Sequence, residues 1–335
     1  VTEMRIVVDA MGSDDNPTPD VAGSVMAARE YGVTIILVGD EELIRSELAD
    51  HDSDGLSIEI VHASQVITME DKPSLVLREK KDSSMHVGIN LVKTGAADAF
   101  VTAGNTGAAL GIAMLRNVGL GRIPGIKRPA LGVNFPTPER PFLIDNGANA
   151  DCRPEYLLQF GIMGSIYVER VLGVDNPRVA LVSNGEEEGK GNALIQEATP
   201  LLANSQLNFI GNIEPKEFMR GAADVAVADG FTGNILMKTA EAVSSYMADL
   251  IRTYMKANPV AAVGGLLSRS VFSQVRAHLD PDEVGGAPLL GVNGPVIIGH
   301  GRSNATAIKH AIGQARLVAE NNIVEAIASG IKQVE

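Results

Sequence analysis

GAADAFVTAGNTGAAL, residues 95–110, and GAADVAVADGFTGNIL, residues 221–236, are the two stretches from which the fold of this chain is predicted. They share Gly-Ala-Ala-Asp and then Val, Gly, Thr, Gly and Leu at the same offsets, 126 positions apart. Each places a short apolar run before a Gly-x-Thr-Gly turn and a second apolar run, the order expected of a buried strand, a tight turn and a helix. We therefore predict the same strand–turn–helix unit twice.

Short apolar runs rich in β-branched residues alternate with helix-like segments along the whole chain. Near-continuous apolar runs are typical of strands buried on both faces, and hence of a mostly parallel sheet. The clearest helical pattern covers 233–257, where apolar residues recur at helical spacing. The fold class predicted is α/β, a doubly wound, mostly parallel sheet with helices on both faces. The predicted strands are 5–10, 34–39, 57–63, 98–103, 129–135, 142–146, 178–184, 207–213, 224–229 and 295–301.

Polar, glycine-rich loops follow six of these strands: DAMGSDDNP, TAGNTG, DNGAN, SNGEEEGKGN, ADGFTGN and GHGRSN. Ligands bind at the carboxyl ends of the strands in doubly wound sheets, so we expect these loops to converge on one rim. Pro, Gly and basic residues cluster at 119–129, a plausible crossing between two lobes. We predict a first lobe of 4–125 plus 296–335, a second lobe of 126–295, and a cleft between them.

Composition excludes several classes of protein. A net charge of −13 argues against a general nucleic-acid binder, which needs a basic footprint. The single cysteine, Cys152, excludes an internal disulfide and a multi-thiolate zinc site, and it fits the reducing cytoplasm. No 18-residue apolar run is present, and the N-terminal residues enter a strand-like run with no signal-peptide pattern.

The two Gly-x-Thr-Gly turns have the composition of anion-binding turns. Glycines let the backbone approach an anion, and the N–H groups and dipole of the following helix favour negative charge. An alternative explanation is a tight turn in which Thr caps the helix. Repetition of the turn at two strand ends favours the functional explanation. The residues predicted to bind phosphate or substrate here are Gly104, Asn105, Thr106, Gly107, Gly230, Thr232 and Gly233, with Asn234 beside them.

Two other glycine-rich stretches are not nucleotide motifs. GEEEGKGN, 185–192, is one residue short of a P-loop and has Gly191 where Ser or Thr belongs, and GLGRIPG, 119–125, lacks the dinucleotide spacing. Lys190 remains a candidate phosphate contact or a solvated lysine beside three glutamates. His300 is a candidate general acid or base, or a structural residue capping the next helix. No metal-ligand spacing and no nucleophile elbow are present.

Two segments suggest partners. Lys72, Arg78, Lys80 and Lys81 form a basic patch that an acidic partner or a phosphate could contact, although a solvated helix face is the alternative. Residues 250–279 contain no Asp or Glu, and Pro259 and Gly264–Gly265 are expected to break them into a helical hairpin with an apolar tip. Cations flanking such a tip suit an anionic membrane surface, and a dimer contact or a partner groove is the alternative. The predicted tip residues are Val260, Val263, Leu266, Leu267 and Phe272.

The loops, taken together and in order, resemble a known family. DAMGSD, TAGNTGA, RPAL, DNGAN, NGEEEGKG, DGFTGN and HGRSN, with the intervening KPS segment, closely resemble the bacterial phosphate acyltransferases of phospholipid synthesis. The resemblance runs from about Met4 to the C-terminal helices. It implies the fold of the phosphotransacetylases and of the isocitrate and isopropylmalate dehydrogenases.

The resemblance also implies an activity: inorganic phosphate and a fatty acyl thioester of acyl carrier protein give acyl phosphate and free carrier protein. It implies no cofactor, a cytoplasmic homodimer on the inner face of the cell membrane, and a membrane-embedded glycerol-phosphate acyltransferase that uses the product. We accordingly expect Lys190 and Asn234 to contact the reacting groups and His300 to protonate the leaving thiol. Asp229 is expected to orient donors, and Asp9 to line the same rim.

Two rival functions remain open from the sequence. One is a metal- and nicotinamide-dependent hydroxy-acid dehydrogenase of the same fold, which needs clustered aspartate ligands and a nucleotide pocket. The other is a membrane-bound scaffold that holds acylated carrier protein without turning it over. Such a scaffold predicts the same apolar tip but no requirement for Lys190 and Asn234.

Overall fold

A single mixed sheet organises the chain in the computed structural model, which describes residues 3–279 and 285–332. Each of the ten predicted strands is present, and one further strand, β10, was not predicted. The strands are β1 Arg5–Asp9, β2 Thr34–Gly39, β3 Ile58–His62, β4 Ala99–Thr102, β5 Ala130–Asn134, β6 Phe142–Ile144, β7 Arg178–Val182, β8 Asn208–Ile213, β9 Val225–Val227, β10 Ala287–Leu290 and β11 Val296–Ile298.

Helices connect most of the strands. They are α1 Thr18–Tyr31, α2 Glu41–Leu48, α3 Pro73–Glu79, α4 Ser84–Lys93, α5 Thr106–Met114, α6 Pro154–Leu172, α7 Ala193–Ala203, α8 Pro215–Phe218, α9 Gly230–Ala257, α10 Pro259–Leu267, α11 Arg269–Leu279, α12 Ala305–Glu320 and α13 Ile323–Lys332. Both halves of the near-repeat form the predicted strand–turn–helix unit, as β4–α5 and as β9–α9.

The strand order is β3-β2-β1-β4-β11-β10-β5-β6-β9-β7-β8. Seven of the ten strand pairs are parallel, which confirms the mostly parallel sheet. The three antiparallel pairs, β11–β10, β10–β5 and β5–β6, lie together in the middle of the sheet. Three reversals leave β6, β9, β7 and β8 running opposite to β1, β2, β3, β4 and β11.

The aspartates of the near-repeat hold equivalent strand pairs together. Asp98 accepts a hydrogen bond from the N–H of Arg5, the first residue of β1, at 2.7 Å. Asp224 accepts one from the N–H of Arg178, the first residue of β7, also at 2.7 Å. Each aspartate therefore joins the start of its own strand to the start of the parallel neighbour, and the repeated Gly-Ala-Ala-Asp has a structural role.

The core lies on both faces of the sheet, as a doubly wound fold requires. Successive strand residues point to opposite faces. Ile6 and Val8 belong to an apolar cluster that runs along the sheet with residues of α1, α6, α12 and α13. On the opposite face, the core is divided into one cluster with residues of α4 and α5 and a second with residues of α8 and α9.

Helices α9 to α11 extend away from the sheet. In α9, only Gly230, Gly233 and Met237 are buried, so the helix is anchored by its first two turns. At a rise of 1.5 Å per residue, its 28 residues span about 42 Å. The chain turns at Asn258, directly before Pro259, as expected. It turns again at Ser268; Gly264–Gly265 lie inside α10, so the expected break at the glycine pair is wrong.

The predicted division into two lobes stays a prediction. The boundary at 295/296 falls between β10 and β11, which are hydrogen-bonded neighbours. The C-terminal helix α13 packs on α6, although the prediction assigns these helices to different lobes. Residues 280–284 and 333–335 of the predicted lobes lie outside the described part of the chain.

Candidate functional site

The loops after β1 and β4 meet at a buried aspartate. The Asp9 carboxylate accepts hydrogen bonds from the Thr102 hydroxyl at 2.7 Å and from the Met11 N–H at 3.2 Å. The Thr102 hydroxyl in turn accepts one from the Gly104 N–H at 3.0 Å. Burial raises the pKa of Asp9, and hydrogen bonds from Ser84 and Thr102 oppose that shift. Asp9 therefore supports the first turn from beneath.

The N-terminal turn of α5 has a neutral cap. Asn105 Oδ1 accepts a hydrogen bond from the Ala108 N–H at 3.0 Å. Its Nδ2 donates to three carbonyl oxygens of the preceding loop, those of Thr68, Met69 and Asp71. The side chain of Asn105 therefore holds the turn in shape and caps the helix. The first N–H groups of a helix have no partner within it, and the exposed Thr106 stands beside them, next to Gly107.

The N-terminal turn of α9 has a charged cap. Asp229 Oδ1 accepts a hydrogen bond from the Thr232 N–H at 2.8 Å, and Oδ2 accepts one from the Thr232 hydroxyl at 2.7 Å. The Gly230 N–H donates to the Asn149 carbonyl at 2.8 Å. Asn and Asp cap these two helices, so the alternative in which Thr supplies the caps is wrong.

A loop that contributed no residue to the predicted site holds the first turn of α9. Asp145 is buried, and Oδ1 accepts hydrogen bonds from the Leu131 and Ala148 N–H groups at 2.9 and 3.1 Å. Oδ2 accepts from the N–H and the Nδ2 of Asn149, at 2.7 and 2.9 Å. Burial raises the pKa of Asp145, and these donors oppose the rise. The four bonds fix the shape of the 145–149 loop.

This loop and α9 are in close contact. A Cβ added to Gly233 would lie 2.0 Å from the Asp145 carbonyl oxygen, so only glycine fits. On the other side of the loop, a Cβ added to Gly147 would lie 3.7 Å from Asn234 Cγ. The 145–149 loop is therefore part of the site around Asn234. The signal in the sequence was the DNGAN motif itself, in which two Asn residues and a glycine follow a buried strand.

The expectation that six loops converge on one rim is wrong, because the loops do not all leave the same edge of the sheet. The loops after β1, β4 and β11 leave strands that run opposite to β6, β7 and β9, so two groups of three loops leave opposite edges. Ala148 of the 145–149 loop packs on the apolar cluster to which Ala108 and Ala109 of α5 belong, so the loop that contacts the first turn of α9 shares a core cluster with α5. The two turns are thus related through this loop.

Lys190 and Asn234 are both exposed. The stem of Lys190 passes over Gly185, where an added Cβ would lie 2.9 Å from Lys190 Cγ. The adjacent Gly191 and Asn192 line a cavity of about 770 Å³, which Asp229 and Thr232 also line. Lys190 therefore precedes two residues that line a cavity at the first turn of α9, and its own side chain lies over Gly185.

The other predicted residues lie elsewhere. His300 is exposed in the loop after β11, and Asn304, not His300, caps α12 by accepting from the Ala307 N–H. Arg78 and Lys81 are exposed at the end of α3. Lys80 between them is committed to an ion pair with Asp71, and its Nζ also donates to the Val66 carbonyl at 2.7 Å.

Cys152 is a poor nucleophile, because burial raises the pKa of its thiol to about 12. Among residues 3–279 and 285–332, no group of three or more His, Cys, Asp or Glu side chains is arranged to hold a metal ion. Within the same described residues, no helix is long and apolar enough to cross a membrane.

Comparison with known sequences gives one consistent result. A family model described as fatty acid synthesis protein matches residues 4–326. The phosphate acyltransferase of Alkaliphilus oremlandii is 46% identical over 332 residues, which cover 99% of this chain and 98% of that protein. The phosphate acyltransferase of Clostridioides difficile is 44% identical over 326 residues, 97% of this chain and 95% of that protein.

Solved structures with low sequence identity share the fold. A phosphotransacetylase from Streptococcus pyogenes is similar with a TM-score of 0.59 and 18% identity, covering 98% of this chain and 94% of that one. A phosphotransacetylase from Staphylococcus aureus has a TM-score of 0.59 and 16% identity, with coverages of 97% and 94%. These likenesses confirm the predicted fold class.

Proposed function

Because this chain belongs to the fatty acid synthesis protein family and to its phosphate acyltransferases, we propose an activity for it. We propose that it makes acyl phosphate from a fatty acyl thioester of acyl carrier protein. A phosphate oxygen attacks the thioester carbon. The new C–O bond forms, the C–S bond breaks, and the carrier protein leaves as its thiolate. Phosphate is itself the nucleophile, so the reaction needs no activated serine or cysteine, in agreement with the raised pKa of Cys152.

The observation that carries this proposal is the pair of helix N-termini joined by the 145–149 loop. We assign phosphate to the α5 turn, because its cap, Asn105, is neutral and Thr106 is exposed there. Gly104 and Gly107 let the anion approach the backbone. The α9 turn is less suited to a dianion, since its cap is the Asp229 carboxylate.

The α9 turn then receives the thioester. Asn234 and Lys190 contact the carbonyl oxygen as it becomes an oxyanion, the point at which preorganised donors have the greatest effect. Asp229 orients this turn by accepting both hydrogen bonds from Thr232. Gly230 and Gly233 keep the turn against the 145–149 loop. Asp9 supports the phosphate turn, and His300 protonates the departing thiolate.

The carrier protein docks near the exposed cations of α3. Arg78 and Lys81 attract an acidic carrier, whereas the Lys80 ammonium is already paired with Asp71 and is left out of this surface. Attraction between exposed charges is screened by salt. The Michaelis constant for the carrier should therefore rise with ionic strength, and a constant that does not change with salt contradicts this assignment.

The α9–α11 segment provides a dimer contact and a membrane contact. Val243, Tyr246 and Tyr254 of α9 are 54%, 64% and 71% exposed, an apolar stripe that a second copy would cover. In α10, Val260 and Leu267 are 81% and 80% exposed. We assign α10 to the surface of the inner leaflet, where a membrane-embedded glycerol-phosphate acyltransferase would take up acyl phosphate from this cytoplasmic enzyme.

One experiment tests the activity against both rivals. Purified protein is mixed with acyl carrier protein thioester and phosphate, acyl phosphate is trapped with hydroxylamine, and freed thiol is titrated. We expect both products in equal amounts, and neither product without phosphate. A hydroxy-acid dehydrogenase would instead bind nicotinamide tightly, and a scaffold would bind the thioester and release nothing. The absence of both products with phosphate present would refute the proposal.

A further inference from the structure

The cavity beside α9 is polar at one end and apolar along its length. Its volume of about 770 Å³ lies in the usual range for small-molecule sites, roughly 300–1,000 Å³. One wall is the side of α9, and the floor is the apolar cluster that contains Val182 and Phe135. Such a shape suits a ligand with one polar end and a long apolar remainder.

The polar end lies beside the first turn of α9, where Asp229 and Thr232 line the cavity. Ser183 directly follows β7, and Asp229 follows the neighbouring parallel strand β9, so both lie at one edge of the sheet. The hydroxyl of Ser183 lines the cavity, is buried, and has no hydrogen-bond partner among the residues that the structure describes. A buried hydroxyl without a partner is costly, so the Ser183 hydroxyl is available to a ligand oxygen.

The apolar part follows one face of α9. Thr232, Leu236, Ala240 and Ser244 recur every four residues along the wall, as neighbours on one helix face do. With a rise of 1.5 Å per residue, Ala240 lies about 12 Å from Thr232 along the helix axis, and Ser244 about 18 Å. The wall therefore offers two small residues at known distances from the polar end.

We propose that this cavity binds the fatty acyl chain of the donor, with the thioester beside Ser183 and Thr232 and the methyl end toward Ser244. The assignment rests on the proposed function and adds to it the location of the chain and the residues that limit its length. Each methylene buried in the cavity should raise kcat/KM about fourfold, until the cavity is filled.

Two phenylalanine substitutions measure the chain against the helix. Ala240→Phe fills the cavity about 12 Å from Thr232 and Ser244→Phe about 18 Å from it. Acyl thioesters of increasing length are compared by kcat/KM. We expect the rise with length to stop at the shortest chain in Ala240→Phe, at a longer one in Ser244→Phe, and at the longest in the unchanged protein. Ala242→Phe and Ser245→Phe, at exposed positions outside the lining, are the matched controls.

Binding of the fluorescent fatty acid cis-parinaric acid provides a readout that does not depend on turnover. The unchanged protein and both controls should bind it, and Ala240→Phe should lose most of that binding while its melting temperature is kept. If acyl phosphate forms but the length limit is the same in all five proteins, the cavity proposal is overturned and the activity stands. The cavity proposal is also overturned if the two control variants lose as much parinaric acid binding as Ala240→Phe. If no acyl phosphate forms but binding of parinaric acid is lost only in Ala240→Phe, the cavity proposal is supported and the proposed activity is refuted.

Discussion

Replacing Gly233 with alanine tests whether the contact between α9 and the 145–149 loop sets the geometry of the reaction. The added Cβ would lie 2.0 Å from the Asp145 carbonyl oxygen, whereas ordinary van der Waals contact begins near 3.4 Å. The helix and the loop would have to move about 1.4 Å apart along that line. Both are backbone, and the loop is held by the four hydrogen bonds of Asp145, so the strain cannot be relieved by a side-chain rotation.

The two consequences of this shift differ in size. Alanine in a helix is favoured over glycine by about 1 kcal/mol, and overpacking costs roughly 1–3 kcal/mol, so the free energy of unfolding should fall by no more than about 2 kcal/mol. Displacing a catalytic group by about 1 Å can lower the rate about 100-fold. Because Asn234 follows Gly233 directly, kcat/KM should fall about 100-fold in a protein that still folds.

Gly111→Ala is the matched control. Gly111 is also a helical glycine, but its added Cβ would lie 3.5 Å from Leu77 Cδ2, an ordinary contact. This variant should be at least as stable as the unchanged protein and equally active. Acyl phosphate formation and thermal unfolding are measured for both variants. A Gly233→Ala variant with unchanged kcat/KM, or a Gly111→Ala variant that loses as much, would refute the reasoning.

Three further predictions concern the reacting groups, the buried Asp9 and the exposed face of α10. Lys190→Ala and Asn234→Ala should each lower turnover about 100- to 1,000-fold by steady-state kinetics while the melting temperature is kept, and near-normal rates in both would contradict their assignment. Because burial raises the pKa of Asp9 above its ordinary 3.8, the folded protein holds this proton to a higher pH than the unfolded chain. Stability should therefore decline as the pH rises from about 3.8 through the folded-state pKa, and Asp9→Asn should reduce that slope in denaturant unfolding; parallel curves for the two proteins would count against it. Replacing Leu266 and Leu267 with Glu should abolish sedimentation with anionic liposomes, since both are largely exposed on α10, and unchanged sedimentation would remove α10 from the membrane contact.

Ten strands could be predicted because each contains a short run of apolar and β-branched residues, although β3 and β8 are only partly buried. The strand that was missed, β10, is short and contains Pro288 near several glycines, a composition typical of loops. The second turn of the α9–α11 segment was misplaced because glycine lowers helix propensity by only about 1 kcal/mol, which packing can offset. Gly265 lies inside α10, where its missing side chain gives room to Met255 of α9.

The mostly parallel sheet could be predicted, but the positions of the three antiparallel pairs could not, because no local pattern distinguishes those strands from their parallel neighbours. The reversal depends on β10 and β5 standing between β11 and β6, a long-range arrangement that no local pattern encodes. For the same reason, the 145–149 loop was seen as one motif among six. Its contact with the first turn of α9 becomes evident only when the order of the strands in the sheet is known.

The near-repeat shows how two closely related sequences can form two different turns. Aligned by their shared residues, Asn105 corresponds to Phe231 and Asp229 to Ala103, so α9 begins two positions earlier in the repeat than α5. Thr106 is consequently the first residue of its helix and is exposed, whereas Thr232 lies inside the first turn and donates back to the cap. One turn keeps a neutral cap and the other acquires a carboxylate. Since a helix N-terminus favours an anion only when no other negative charge already occupies it, this two-residue shift is the physical reason to assign phosphate to α5 and the thioester to α9.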